Sequence, residues 1–299
     1  VTSLSIERLI MADIKRGDAM KAGQAAVLRT SRRSWFADIA LAINQLIKHG
    51  RALRVLTEYN LVRSVSGQHM GFLWWFAEPL INALIFYFVV VIIFHRGGPD
   101  YHFTLVTGLL CWQLFANTVN SVTSALTSNS TFLLRGIFPP LVAVVAPVFS
   151  GLFLAVCAFS LVMFFSPHGL GLSLLFLPVV LIVQVLVGLA VGLPLAILNV
   201  ALPDTRRLVH FITRFGWFMS PILYPVTRVL DQPKIPDWFK AVYMTNPMVH
   251  TLNGLRFSLT GETPISLLGF GLVAVVAIVA ALIGMAMIIR HQNFYMKRI

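Results

Sequence analysis

Hydrophobic positions along this chain gather into long, nearly unbroken runs, separated by short polar stretches. A hydrocarbon core about 30 Å thick takes roughly 20 apolar residues of helix. Six runs are of that order: Phe72–Phe94, Phe103–Leu126, Leu141–Phe165, Leu172–Asn199, Leu208–Val226 and Ile265–Arg290. The last is the cleanest, with no charge from Ile265 to Ile289. The pattern predicts an all-α membrane protein of six transmembrane helices. Upstream the periodicity changes. Starting at Trp35, with Ser34 placed to cap, Phe36, Ile39, Ile43, Leu46, Ile47 and Leu53 recur at three- and four-residue steps. Asp38, Asn44, Gln45, Lys48 and Arg51 take the other side, which makes an amphipathic helix suited to the inner leaflet or to a partner protein.

Three zones follow: a basic segment 1–34 with the composition of a mobile tail, an amphipathic helix and connector over 35–70, and a membrane domain over 71–299. The loops expected outside, His95–His102 and Ser166–Gly171, are short. Only Thr227–Pro264 is long, and within it Pro236 and Asp237 are placed to start a short helix carrying Trp238, Phe239, Val242 and Tyr243. Trp and Tyr favour the headgroup level, so this piece is expected to dip into the outer interface.

Polar residues inside the runs are the candidates for chemistry. Trp75, Glu78 and Asn82 share one face of the first run, with Pro79 free to bend it. A carboxylate at the bilayer centre costs ~2.5–3.5 kcal/mol, so Glu78 should face protein or water, either as a path residue or in a structural pair at the cytoplasmic rim. In the second run Gln113, Asn117, Asn120 and Ser124 form a stripe that suits a hydroxyl-rich solute, and equally suits hydrogen bonds between neighbouring helices. In the fifth, His210, Arg214, Trp217 and Tyr224 line one side, either as a sugar-stacking surface or as an interfacial aromatic belt.

Composition agrees with the membrane reading, at 58% hydrophobic and 11% charged residues over 299 positions. A net charge of +12 would point to nucleic acid in a soluble protein, but its distribution points elsewhere. With the N-terminus inside, eighteen lysines and arginines fall on the cytoplasmic side and five on the other, so both termini are expected in the cytoplasm and no nucleic-acid partner is expected. Cys111 and Cys157 lie within runs and read as packing residues. The first run is expected to act as its own insertion signal, with no cleavable signal peptide. The histidines are scattered, no H-E-x-x-H or C-x-x-C pattern occurs, and no phosphate-cradling Gly-x-x-x-x-Gly-Lys-Ser/Thr loop is present. No catalytic residue, metal site or cofactor is expected in this chain. A membrane path without its own nucleotide site reads as a transporter subunit driven from elsewhere.

Several local patterns resemble the membrane subunits of ABC transporters that export polysaccharides. Arg63 precedes Met70-Gly71-Phe72-Leu73-Trp74-Trp75-Phe76-Ala77-Glu78-Pro79, which looks like that family's entry to span one. Pro203-Asp204 precedes span five, Ser220-Pro221-Ile222-Leu223-Tyr224-Pro225 resembles the motif at its outer end, and Asn246-Pro247 with Arg256 matches a re-entrant segment before span six. The resemblance implies a homodimer of six-span subunits, with both termini cytoplasmic, bound to a dimer of cytoplasmic ATPase subunits that hold ATP and Mg. It implies an interface helix over Phe36–Leu56. It implies a coupling segment within Asn129–Pro139, where Thr131, Phe132, Leu133, Leu134, Arg135 and Phe138 are candidates and Phe132, Leu133 and Phe138 would fill a groove on the ATPase. Trp238, Phe239, Tyr243 and Asn246 would belong to an external gate. The path would use Arg63, Trp74, Trp75, Glu78, Asn82, Gln113, Asn117, Asn120, Arg214, Trp217 and Tyr224. The cargo implied is a lipid-linked polysaccharide crossing the bacterial inner membrane, capsular polysaccharide first, with O antigen or teichoic acid close behind and small-molecule or lipid efflux third. An outer-envelope partner stays open.

Overall fold

The computed structural model describes residues 34–65, 73–95, 101–164, 171–261 and 265–299, with only the backbone described at Val65, Trp75, Phe76, Glu78 and Pro79. The basic segment 1–33 lies outside the described residues. Every regular element among the described residues is helical. In chain order these are α1 (Trp35–Lys48), α2 (Gly50–Val65), α3 (Trp74–Tyr87), which runs on as a π-helical turn (Phe88–Ile93), α4 (Tyr101–Ser128), α5 (Ser130–Leu134) and α6 (Pro140–Phe164). A 3₁₀ turn (Leu172–Phe176) leads into α7 (Leu177–Ala201), followed by α8 (Thr205–Met219), α9 (Thr227–Leu230), α10 (Asp237–Met244), α11 (Pro247–Thr260), α12 (Leu267–Arg290) and α13 (Gln292–Met296).

Three of these stretches are long and apolar enough to cross a membrane: Pro140–Phe164, Leu172–Ala201 and Leu267–Arg290. They match three of the six expected runs. The run at Phe72–Phe94 is a shorter apolar helix over Leu80–Ile93. α4 has 28 residues, about 42 Å at 1.5 Å per residue, but Gln113, Asn117, Asn120 and Ser124 dilute its hydrophobicity. The fifth run differs most. α8 stops at Met219, and Ser220 turns extended, with ψ at 149°. Pro221 and Pro225 explain the stop, because proline disfavours helical backbone in the residue before it and offers no N–H to continue the ladder. The stretch expected to finish the span is instead a buried turn.

α4, α7 and α12 form a close-packed block. α4 and α7 run parallel, in a register set at successive levels. Gln184 Nε2 donates to the Cys111 carbonyl at 3.0 Å, and Asn199 Nδ2 donates to Thr127 Oγ1 at 3.2 Å. Between those levels Gly188 abuts Thr118 and Gly192 abuts Val122 so closely that a Cβ would sit 2.6 Å and 2.9 Å from the facing side chains. Gly284 lets α12 approach Leu193 of α7 in the same way. Van der Waals packing of small residues drives such contacts where no hydrophobic effect separates helix from lipid.

The amphipathic stretch is two helices, broken at His49. Ser34 caps α1 through the Ala37 N–H, as expected. One expectation is corrected: Asp38, assigned to the wet face, is buried together with Ala42 where α1 packs on α12 and α6. The apolar residues Phe36 and Ile47 turn outward, at 84% and 75% exposure, which suits lipid rather than the protein's own core. Arg290 lies over the Trp35 ring at 4.5 Å and ties α1 to the end of α12. Beyond it, burial in α13 pushes the Tyr295 hydroxyl pKa up, so it stays protonated and donates to the Ile288 carbonyl at 2.9 Å. α2 lies along α6, where Thr57 Oγ1 donates to the Ala146 carbonyl and Ser150 Oγ donates back to the Thr57 carbonyl.

Candidate functional site

A cavity of about 1210 Å³ opens between α3, α4 and α8. Six of the expected path residues line it: Trp74 and Asn82 from α3, Gln113 and Asn117 from α4, Arg214 and Trp217 from α8. A second cavity of about 520 Å³, bounded by α2, α4 and α6, is lined by Arg63, Asn120, Ser124 and Arg206. Ser64, Asn117 and His210 border both, so the two form one polar track along the face of α4.

Helical spacing explains the lining. Gln113, Asn117, Asn120 and Ser124 present one stripe of α4 to the track, while the opposite stripe is buried against α7. Asn120 Nδ2 donates to the Ala116 carbonyl at 2.7 Å and Ser124 Oγ to the Asn120 carbonyl at 3.0 Å, both within the same helix. These two side chains thus bond within α4 rather than to neighbouring helices. On α8 the sequence is strongly two-faced: Arg207, His210, Arg214 and Trp217 line the cavity, and Ile212 and Phe215 are exposed on the other side. Gly216 brings this helix close to α4, where an added Cβ would meet the Trp112 ring at 3.2 Å. Trp217 packs against Phe86 of α3, with ring centroids 4.7 Å apart, so one aromatic bridge spans the two outer walls. Asp204 reaches Arg207 at 3.7 Å with both side chains exposed, a pair too solvated to neutralise the arginine. Arg207 and Arg214 therefore leave this part of the track basic.

Trp112, Phe86 and Arg207 are among the lining residues that were not expected on the path. The i, i+3, i+7 repeat from Arg207 through His210 to Arg214 was a legible signal for the last. For Trp112 and Phe86, only the meeting of helices shows the role. Conversely, Tyr224 is in neither cavity. It belongs to the turn after α8, clustered with Val226, Phe239, Tyr243 and Val249, because the helix that was to carry it stops at Met219. The Trp75 and Glu78 side chains lie outside the described residues.

The other candidates sort by burial. In α5, Leu133 is only 2% exposed and sits in the protein's own core, so it does not face outward; this corrects the expectation that it fills a groove elsewhere. Phe132 is half-buried between Tyr59, at 6.1 Å, and Phe138, at 5.7 Å. Thr131, Leu134 and Arg135 are the exposed members of that segment. The short helix expected from Pro236 and Asp237 is α10, where Trp238 is exposed and Tyr243 buried. Asn246 caps α11, accepting from the Met248 N–H at 2.9 Å.

A family model described as "ABC-2 type transporter" matches residues 51–260, more than half of the chain. The chain belongs to the ABC-2 transporter membrane family. The ABC-2 match runs from α2 to the end of α11 and so takes in every element of both cavities. Among curated proteins, the chain is similar to the O-antigen export system permease protein RfbA of Myxococcus xanthus, 25% identical over 193 residues that cover 64% of this chain and 74% of that one. Two Klebsiella pneumoniae proteins of the same name match over 208 residues at 27% and 26% identity, each covering 68% of this chain and 78% of the relative.

Proposed function

We propose that this ABC-2 chain is the permease subunit of an ATP-driven exporter that moves a lipid-linked polysaccharide across the bacterial inner membrane. The observation that carries the reading is the continuous track: arginines and Trp74 at one end, amides along α4, and the Trp112 and Trp217 rings at the other. Aromatic faces stack on successive sugars without holding one tightly, and amides bind hydroxyls in any order, which suits a sliding polymer. The basic end attracts an anionic group, whether on the polymer or on its lipid anchor. The relatives' names favour O antigen, while the arginines suit an acidic capsular polymer.

In this reading the subunit spans the membrane six times with both termini in the cytoplasm, α1 lies on the inner leaflet, and α10 and α11 guard the outer mouth. It works as a homodimer with a separate ATPase dimer that binds ATP and Mg, so hydrolysis is not this chain's chemistry. α5 faces the ATPase through its exposed residues Leu134 and Arg135 rather than through Leu133. Leu134→Asp with Arg135→Glu is expected to lower co-purification of the ATPase about tenfold, since truncated or reversed interface anchors commonly cost ~2 kcal/mol or more. Insertion of the chain should not change. Equal recovery of the ATPase would remove α5 from the coupling surface.

The function itself is tested by deleting the gene and fractionating cell glycan by immunoblot. Loss from the surface with accumulation inside is the expected result. Unchanged surface glycan, with new sensitivity to drugs, would replace polysaccharide export by small-molecule efflux.

A further inference from the structure

Arg256 of α11 lines neither cavity, yet it is only 9% exposed. Burying a cation in this setting is costly unless its donors are met. Among the described residues no carboxylate pairs with it. Instead its Nη2 donates to the Pro221 carbonyl at 2.6 Å and the Tyr224 carbonyl at 3.1 Å, with the Ile222 carbonyl at 3.5 Å, while its Nη1 is buried without a hydrogen-bond partner. From the other side Tyr101 Oη donates to the Leu223 carbonyl at 3.1 Å. The carbonyls of Pro221, Leu223 and Tyr224 thus each receive a side-chain donor, and that of Ile222 lies at the edge of reach of the same Nη2.

The turn needs these donors. Pro221 and Pro225 contribute no N–H, so the backbone has little of its own with which to satisfy the loop. Ile222 is 1% exposed and seated against Gly108 of α4, which fixes the turn's depth. The turn is also the end of α8, the helix that brings Arg214 and Trp217 to the cavity. Whatever holds residues 221–224 therefore holds the end of a cavity wall.

We propose that Arg256 is a clasp: a positioning residue that, with Tyr101 on the Leu223 carbonyl, keeps the outer end of the α8 wall closed by gathering the carbonyls of Pro221, Ile222 and Tyr224, so that their release opens the outer mouth. It acts through α8 and touches no cargo. The rigid guanidinium holds Nη2 at a fixed place among these carbonyls, whereas an ammonium ends a shorter, flexible stem as a compact point charge, so lysine keeps the charge and loses the placement. The word "outer" rests on the orientation in the proposed function.

The test uses the full chain with its ATPase, carrying Cys111→Ala, Cys157→Ala and Ser220→Cys at the buried end of α8, labelled with a membrane-impermeant maleimide. Labelling is read from the outer face of cells and from inverted vesicles. Arg256→Lys, inserted at the parent's level, is expected to raise labelling from the outer face about tenfold, the factor that ~1.4 kcal/mol represents. Tyr101→Phe, which removes one donor, should raise it about threefold. Unchanged labelling with Arg256→Lys would overturn the clasp. If that chain does not reach the membrane, unchanged labelling with Tyr101→Phe overturns it instead. Label that enters only from inverted vesicles overturns the orientation, and the ratio between variant and parent measured there still decides the clasp.

Discussion

Gly188→Leu is expected to cut the amount of chain recovered in membranes about tenfold or more, because overpacking costs ~1–3 kcal/mol and occasionally more. A Cβ at this position would lie 2.6 Å and 2.8 Å from Thr118 side-chain carbons, so α4 and α7 have to separate along their contact. The damage spreads, since Gln184 and Asn199 bond to α4 from either side of it and lose their partners with the register. A buried amide left unsatisfied adds ~1–3 kcal/mol. Gly271→Leu is the control: nothing lies within 4 Å of an added Cβ there, and recovery should be unchanged. Immunoblots of membranes and melting in detergent read both. Equal losses from the two would mean that leucine itself, and not the α4–α7 contact, is responsible.

Charge reversal in the cavity should damage transport while sparing the fold. Arg207 and Arg214 are exposed to the cavity, and Arg207→Glu with Arg214→Glu changes the local charge by four units. At ~1 kcal/mol per unit pair at 4 Å in water, and more at a partly dry surface, surface glycan is expected to fall about a hundredfold. The neutral pair Arg207→Gln with Arg214→Gln should fall about tenfold, having lost attraction without gaining repulsion. High salt should narrow the gap between the two in purified proteoliposomes. Equal export from the two variants would show that the arginines do not act through charge.

The long spans were legible because apolar runs are a property of sequence alone. So was the face of α4, since the amide stripe and the apolar stripe alternate at helical steps. What failed to show were outcomes of packing. Asp38 looked like a wet-face residue because amphipathicity assigns carboxylates to water, yet the neighbouring Ala42 makes its strip the one that fits against α6 and α12. Leu133 and Leu134 are indistinguishable by type, and the bend of α5 after Asn129 decides which one is buried. Tyr224 was placed on a helix that hydrophobicity would continue and Pro221 does not. Trp112 joined the site because Gly216 faces it, a pairing between residues far apart in the chain.

The meeting of α8 with the block has a consequence for how such a protein diversifies. The three parallel helices interlock through glycines, so few substitutions there are tolerated. α8 meets them at Gly216, and three of its lining side chains, Arg207, His210 and Arg214, border the cavity. Changes at those three meet the cavity rather than the packed block. A single helix can thus change the charge of the cavity wall while the scaffold beneath it keeps its shape.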